Sequence, residues 1–243
     1  MEKNEKTLIC MVSYFRKVLT EKSVGTFLKN TDSPFDLHII DNNSTDGTKE
    51  YLQDLEKNNE NVTVTLLDKN IGKAEAANII MPQCKEYKHF VYTDNDIGVP
   101  EKWLSSLIYA AENTKTWGLL ALNNHVHFPH NKVEPKGAKL QNGQSVMFPG
   151  CVAGGIWMIN PGLYDKIGGY TVKRFWGGID GDYHNRSRKA GFRDGVIKEL
   201  SFDHLGAPEF KSYNLYKYHV HHMITKGGSP EFDAKKGFFD KEE

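Results

Sequence analysis

An unbroken apolar run near the N-terminus constrains the fold more than any other feature of this 243-residue chain. Residues 7–14 read TLICMVSY, with no alternation of polar and apolar positions. A strand that is apolar on both sides must be covered on both faces, which is typical of parallel sheets. The run therefore predicts the first strand of a mostly parallel sheet with helices on both faces.

Shorter apolar runs and helix-permissive segments alternate from there to residue 98. Strands are predicted at residues 7–14, 35–40, 62–67 and 90–93, and helices at 17–28, from the caps at 44–46 through Leu55, and at 73–81. This alternation favours an α/β fold with a parallel sheet. Such sheets bind ligands beyond the carboxyl ends of their strands, which is where Ser13, Asp41 and Asp94 lie.

The second half of the chain has a looser pattern. It predicts a helix through Trp103 and Ala111, strands at 118–122 and 152–159, and helices at 161–167 and 182–190. Residues 123–150 are rich in His, Pro, Asn and Gly and predict a long loop, and long excursions of this kind often carry function.

Charge and cysteine content narrow the functional classes. Lys plus Arg equal Asp plus Glu at 31 each, which excludes a globally basic nucleic-acid binder. No apolar run is long enough to span a membrane, and the N-terminus is typical of a strand rather than of a signal peptide. Cys10, Cys84 and Cys151 form no C-x-x-C pair, so we expect reduced thiols in a cytoplasmic protein.

An acidic triplet, Asp94-Asn95-Asp96, follows the strand predicted at 90–93. Two carboxylates at this position can share a hard divalent cation such as Mg²⁺ or Mn²⁺ and leave sites open for phosphate oxygens. A solvated Asx turn is the simpler interpretation. His204 is a candidate metal ligand only if the fold brings it beside Asp94 and Asp96.

Two further segments carry candidate site residues. DNNSTDGT at 41–48 suits a strand-to-helix turn, although Asp41 is also suited to hydrogen-bond a nucleotide base. WGGIDGDY at 176–183 places glycines and an apolar wall around acids, so Asp180 is a candidate general base. Asp182 is a candidate cap for the next helix.

The order of these motifs resembles the GT-A glycosyltransferases, and most closely the inverting family 2. The matching pieces are Ser13-Tyr14, DNNSTDGT, Asn70-Ile71-Gly72, the acidic triplet, and the segment from 154 to 192. Residues 176–182 also resemble the W-G-G-E-D segment of β-1,4-galactosyltransferases and polypeptide N-acetylgalactosaminyltransferases. The chain departs from that segment at Ile179, where those enzymes have an acid, and from many family 2 members at Asn42.

The resemblance implies a Rossmann-like GT-A domain over residues 1–206, with a nucleotide-binding half (1–98), an acceptor and catalytic half (99–206) and a C-terminal extension (207–243). It implies a metal-dependent transferase that uses a nucleotide-diphosphate sugar, a UDP-sugar in particular, with Mn²⁺ or Mg²⁺. The resemblance also implies a role for each candidate residue. The nucleotide would be contacted by Ser13, Tyr14, Asp41, Lys73, Asp94 and Asn95. The metal would be bound by Asp94, Asp96 and His204, the sugar would be contacted by Trp176, Gly177, Gly178 and Asp182, and Asp180 would be the catalytic base.

Other functional classes are either disfavoured by the sequence or remain as alternatives. The first predicted turn has no glycine, which disfavours a dinucleotide oxidoreductase, and neither a P-loop nor a G-x-S-x-G elbow is present. The acceptor stays open among a glycan, a lipid-linked sugar, a protein and a modified nucleic acid. The aromatic and basic residues at 211–226 suit the binding of nucleic acid, so a glycosyltransferase that modifies DNA remains an alternative. A non-catalytic module that binds a sugar nucleotide or a glycan is a further alternative.

Overall fold

The structure is a computed structural model that describes residues 3–124, 136–149, 152, 154–171 and 179–206. The strands are β1 (Asn4–Ser13), β2 (Phe35–Asp41), β3 (Val62–Leu66), β4 (Tyr87–Asp94), β5 (Ile97–Gly98), β6 (Trp117–Asn123), β7 (Gly137–Lys139), β8 (Ser145–Met147), β9 (Ile156–Ile159), β10 (Arg193–Ser201) and β11 (Asp203–His204). The helices are α1 (Lys17–Asn30), α2 (Thr48–Asn58), α3 (Lys73–Ile80), α4 (Trp103–Asn113), α5 (Pro161–Ile167) and α6 (Ile179–Lys189), with a 3₁₀ helix at Met81–Lys85.

One large sheet organises the described part of the chain. Its nine strands lie in the order β3-β2-β1-β4-β9-β6-β10-β8-β7. Strands β3, β2, β1 and β4 are mutually parallel, and β6 pairs parallel with β10. Strand β9 runs antiparallel between β4 and β6, so the sheet is mostly parallel and includes strands from both halves of the chain.

The first strand separates two hydrophobic cores. Ile9 and Met11 face a core shared with α1, α2 and α4, whereas Leu8, Cys10 and Val12 face a core shared with α3, α5 and α6. Successive side chains of a strand point to opposite faces, so a continuous apolar run supplies both cores at once. The fold predicted from residues 7–14, a mostly parallel sheet with helices on both faces, is confirmed.

Three details of the second half differ from the sequence-based expectation. Residues 123–150 are not all loop, because β7 and β8 form a hairpin whose second strand pairs with β10. Strand β10 itself was not predicted, and β9 begins at Ile156 rather than at 152. Three-residue strands are too short to show a periodic pattern, and only pairing with a neighbour stabilises them.

A second, two-stranded sheet lies beside the large one. In it β5 pairs antiparallel with β11, with His204 opposite Ile97 and Asp203 opposite Gly98. The pairing brings a residue from the end of the described chain next to the loop that follows β4. Separately, none of the helices in the described ranges combines the length and apolarity that crossing a membrane requires.

Close packing at Gly118 of β6 leads to a stability prediction. A Cβ atom there would overlap Ser187 Oγ and lie 2.9 Å from Asp194 Oδ1. We expect Gly118→Ala to lower the free energy of unfolding by about 1–3 kcal/mol, the usual cost of overpacking. Gly25, an exposed residue of α1, has nothing within 4 Å of its Cβ position. Gly25→Ala should therefore raise the free energy of unfolding by about 0.5–1 kcal/mol.

Urea denaturation of both variants and the wild type, followed by circular dichroism, measures these differences. Equal midpoints for the two variants would contradict the packing argument at Gly118.

Candidate active site at the carboxyl edge of the sheet

The ends of three strands place polar side chains along one edge of the sheet. In the parallel register Ser13 of β1 lies beside Asp41 of β2, and Val12 lies beside Asp94 of β4. The chain turns to opposite sides of β1 to form β2 and β4, which makes this point a switch in strand order. Open α/β sheets bind ligands in the crevice at such a point. The prediction that Ser13, Asp41 and Asp94 meet at one edge is confirmed.

Ser13 and Asn95 join two loops at this edge of the sheet. The Asn95 Nδ2 group donates to Thr20 Oγ1 at 2.9 Å, to the Phe15 carbonyl at 3.2 Å and to Ser13 Oγ at 3.4 Å. Both Ser13 and Asn95 are buried. In the structure these side chains tie the loop after β1 to the loop after β4, and their predicted contact with a nucleotide stays a prediction.

Asp41 anchors the next loop. Its carboxylate accepts hydrogen bonds from the amide and the hydroxyl of Ser44, and that hydroxyl also accepts from the Phe15 amide at 2.8 Å. Burial raises the pKa of Asp41, although the hydrogen bonds from Ser44 oppose the shift. Asp41 thus fixes the turn after β2, as the turn interpretation of DNNSTDGT expects, and its contact with a base stays a prediction.

Asp94 is paired with a lysine from the start of α3. Lys73 Nζ lies 2.8 Å from Asp94 Oδ1, and the Tyr92 hydroxyl donates to the same oxygen at 3.0 Å. Burial raises the pKa of Asp94, and although Lys73 opposes this, Asp96 and Asp180 add to it. Burial disfavours the charged amine of Lys73, but the carboxylates of Asp94 and Asp180 outweigh it and raise the pKa of Lys73.

Asp96 lies between an arginine and a histidine. Arg16 Nη1 is 2.9 Å from Asp96 Oδ2, and His204 Nε2 is 3.7 Å from the same oxygen. The Leu205 amide donates to the Asp96 carbonyl at 2.8 Å, which fixes the segment around His204 on this loop. Burial alone would raise the pKa of Asp96, but the Arg16 guanidinium and His204 hold that pKa below its ordinary value.

Asp180 completes the acidic cluster from the first turn of α6. Its Oδ1 atom lies 4.0 Å from Lys73 Nζ and has no hydrogen-bond partner among the described residues. A Cβ atom at Gly154 would overlap Asp180 Oδ2, so the glycine lets the carboxylate approach the loop before β9. The side chain as a whole is 34% exposed, which leaves it accessible from the crevice.

The remaining predicted sugar contacts divide into two groups. Asp182 does not cap α6, because the helix begins at Ile179 and Asp182 lies in its first turn. Its carboxylate accepts hydrogen bonds from Thr171 Oγ1 and Arg186 Nε, each at 2.9 Å. Trp176, Gly177 and Gly178 lie outside the described residues, as do Cys151 and the extension from residue 207.

Tyr14, a predicted nucleotide contact, lies in the turn after β1 and packs edge-on against Phe15.

The donor atoms at this edge suit a divalent cation only in part. A carboxylate and an imidazole are ligands that Mn²⁺ accepts, and Asp96 Oδ2 and His204 Nε2 face each other. Within the described ranges, no three His, Cys, Asp or Glu side chains form a complete metal site. Asp96 and His204 therefore fit a cation whose other ligands come from a bound diphosphate and water, the arrangement usual for Mg²⁺ at nucleotide sites.

Two contributors to the site were not found from the sequence. Arg16 lies in a turn without glycine, yet Phe15 and Arg16 both have positive φ, at 54° and 65°. No local pattern in the sequence signals that conformation. Tyr92 could have been found, because residues two apart on a strand share a face and Tyr92 is two residues before Asp94.

The chain has sequence relatives among glycosyltransferases. The sequence profile described as Glycosyl transferase family 2 matches residues 8–135, just over half of the 243 residues. TuaG of Bacillus subtilis (strain 168), named as a glycosyltransferase of teichuronic acid biosynthesis, is 30% identical over 102 residues. That match covers 41% of this chain and 38% of TuaG.

Solved structures with similar folds are also glycosyltransferases. The mannosyltransferase PcManGT from Pyrobaculum calidifontis, in complex with GDP-Man and Mn²⁺, gives a TM-score of 0.66 at 16% identity, over 89% of this chain and 61% of that one. GalNAc-T7 with UDP, GalNAc and Mn²⁺ gives 0.64 at 14% identity, over 96% and 51% of the two chains. S. aureus TarS 1–349 with UDP-GlcNAc gives 0.62 at 15%, over 96% and 75%. The likeness shows that the chain has the GT-A fold expected from its sequence.

The ion pair between Lys73 and Asp94 generates a pH-dependent prediction. The pair stabilises the fold only while Asp94 is ionised, and the pKa of Asp94 is raised in the folded protein. Lys73→Met should therefore lower the free energy of unfolding by about 1–3 kcal/mol at pH 7, and by less as the pH falls through that pKa.

Urea denaturation in EDTA-containing buffer from about pH 4 to 7 tests this. Lys85→Met is the matched control, because Lys85 forms an exposed pair with Asp165. A Lys73→Met deficit that stays constant over this pH range would contradict the assignment.

Proposed function

Because the chain belongs to glycosyl transferase family 2, we propose that it transfers a sugar from a nucleotide-diphosphate donor to an acceptor hydroxyl. The observation that carries the proposal is the convergence of Asp94, Asp96, Asp180 and His204 at one edge of the sheet. These residues come from three separate parts of the sequence. A stable sheet does not require three carboxylates to gather at one edge, with Asp96 buried and Asp94 and Asp180 partly buried, because each loses some hydration there.

The donor is proposed to be a UDP-sugar. Similar folds in GalNAc-T7 and TarS hold UDP or UDP-GlcNAc, which supports this choice, whereas PcManGT holds GDP-Man. Ser13, Tyr14, Asp41 and Asn95 would line the base and ribose side, on residues 1–98. Lys73, whose Nζ lies 2.8 Å from Asp94 Oδ1, would lie close to the diphosphate.

Asp96 and His204 would hold a divalent cation, Mn²⁺ or Mg²⁺, and Asp94 would contact the ribose or a water on that cation. When bound, the cation supplies Lewis-acid stabilisation of the charge that develops on the departing diphosphate. The presence of Mn²⁺ in the PcManGT and GalNAc-T7 complexes supports a metal requirement here.

Asp180 would act as the general base that accepts the proton of the acceptor hydroxyl. Its side chain is partly exposed, and the buried Oδ1 atom has no hydrogen-bond partner among the described residues, which supports a role as a proton acceptor. Lys73, 4.0 Å away, would orient the carboxylate. In-line attack by the deprotonated hydroxyl on the anomeric carbon would release the nucleoside diphosphate and invert the anomeric centre.

The acceptor side would be formed by the second half of the domain, residues 99–206, with Asp182 and the 176–178 segment near the sugar. The acceptor is a glycan, a lipid-linked sugar, a protein or a modified nucleic acid. We further propose a cytoplasmic location, because Cys10 and Cys84 are free thiols, as in reducing compartments.

Removal of the proposed base gives the first test of this function. Asp180→Asn should lower turnover roughly 10²–10⁴-fold, the range expected for loss of a general base, while donor binding is retained. Product formation is measured with a panel of sugar nucleotides and acceptors, and NMR of the product reports the anomer. Asp165→Asn, an exposed carboxylate on α5, is the control. Turnover by Asp180→Asn within a few-fold of the control would refute the base assignment.

Donor and metal binding are tested together by thermal denaturation. A ligand that binds only the folded protein raises the melting temperature, by an amount worth about 2.7 kcal/mol at a hundred times its Kd. We expect UDP with Mn²⁺ to raise it more than either alone, and Asp96→Asn to lose the increment due to Mn²⁺. The same increment in Asp96→Asn would show that the cation binds elsewhere.

A further inference from the structure

We propose that Arg16 is an internal counter-ion which a divalent cation must replace at Asp96, so that cation binding depends on a nucleoside diphosphate being present. The inference rests on the proposed function, since it concerns the same metal and donor site. It assigns a role to a residue that none of the sequence motifs included.

The first observation is that Arg16 and His204 face the same oxygen. Arg16 Nη1 is 2.9 Å from Asp96 Oδ2, and His204 Nε2 is 3.7 Å from it. Both partners of the ion pair are well shielded, with side chains 16% and 7% exposed. A cation held by Asp96 Oδ2 and His204 would therefore lie next to a guanidinium, and in a partly dehydrated site two such positive charges repel strongly.

The second observation is that the backbone conformation directs the Arg16 side chain towards Asp96. Phe15 and Arg16 are consecutive left-handed residues, although neither is glycine. Ser44 Oγ accepts from the Phe15 amide, and Asn95 Nδ2 donates to the Phe15 carbonyl. The Arg16 carbonyl then accepts from the Leu19 and Thr20 amides at the start of α1. Such conformations persist only where the surroundings enforce them, and they are concentrated at functional sites.

The third observation is that the chain covers the ion pair at Gly206. A Cβ atom there would overlap Arg16 Nη2 and lie 2.8 Å from Asp96 Oδ2. The same segment is fixed by the Leu205 amide on the Asp96 carbonyl. The ion pair between Arg16 and Asp96 thus lies directly against the backbone at Gly206.

A nucleoside diphosphate changes this balance. Its phosphate oxygens are preferred partners of an arginine, because guanidinium and phosphate form charge-assisted, often bidentate hydrogen bonds. When the diphosphate enters the crevice, Arg16 can leave Asp96 for a phosphate, and Asp96 becomes free for the cation. Each ligand then strengthens the binding of the other, which is a reciprocal coupling.

The experiment measures Mn²⁺ binding without turnover. Full-length protein is titrated with Mn²⁺ alone, and free Mn²⁺ is counted from its electron paramagnetic resonance signal. We expect Arg16→Met to bind Mn²⁺ about tenfold more tightly than the wild type, because the competing cation is gone. The enhancement of Mn²⁺ affinity by UDP should fall by about the same factor. Lys17→Met, which removes the neighbouring exposed charge, should bind Mn²⁺ as the wild type does.

The outcomes separate this inference from the proposed function. Unchanged, weaker or undetectable Mn²⁺ binding by Arg16→Met overturns the inference, as does an equal gain in Lys17→Met, which would reflect overall charge. If Asp96→Asn loses Mn²⁺ binding in that same experiment, the proposed metal site stands regardless. If Asp96→Asn binds Mn²⁺ normally, the metal site itself is wrong. Arg16→Gln provides a second neutral variant, and circular dichroism verifies that each variant is folded.

Discussion

The crevice at the carboxyl edge of the sheet depends on how its carboxylates are neutralised. Asp96 is buried, and Asp94 and Asp180 are partly buried, so their mutual repulsion would be costly without nearby cations. Lys73 lies between Asp94 and Asp180, and Arg16 pairs with Asp96. Each cation comes from the start of a helix that follows a strand. The two ion pairs therefore balance the negative charge of the site and also fix the loops that carry the carboxylates.

Backbone strain and close approach are concentrated around the same ion pairs. The left-handed conformation of Phe15 and Arg16 costs roughly 1–2 kcal/mol per residue. That cost is offset by two hydrogen bonds of Phe15, whose amide donates to Ser44 Oγ and whose carbonyl accepts from Asn95 Nδ2. Ser44 and Asn95 are in turn fixed by Asp41 and Thr20. Gly154 and Gly206 permit this close approach because they have no side chain. A Cβ atom at Gly154 would overlap Asp180, and one at Gly206 would overlap Arg16. Asp41 and Asn95, which the sequence predicts to contact a nucleotide, thus also stabilise the backbone conformation of this turn.

Much of the fold and part of the site could be predicted from the sequence. The apolar run at 7–14 and the strand–helix alternation fix the sheet, because burial on both faces leaves few other arrangements. Strand ends then locate the crevice, so Asp41 and Asp94 could be assigned to it. The hairpin of β7 and β8 could not be predicted, because strands of three residues carry no periodic signal of their own. Strand β10 is longer, but its sequence RDGVIKELS contains only the short apolar run Val196-Ile197 and so does not indicate a strand. Arg16 could not be assigned either, because nothing local marks a turn of two left-handed residues.

The two-sided core, the order of the elements and the chemical types at the strand ends can all be read from the sequence. They follow from the period of two along a strand and from the parallel register, which are local properties. Which charged side chains meet depends instead on how the elements pack. The pairing of β11 with β5 brings His204 to Asp96, and the approach of α6 to Gly154 brings Asp180 to Lys73. Contacts between residues so far apart along the chain depend on distances that only the packed fold sets, so no local pattern indicates them, and the sequence pointed to the meeting of Asp96 and His204 only through the family resemblance.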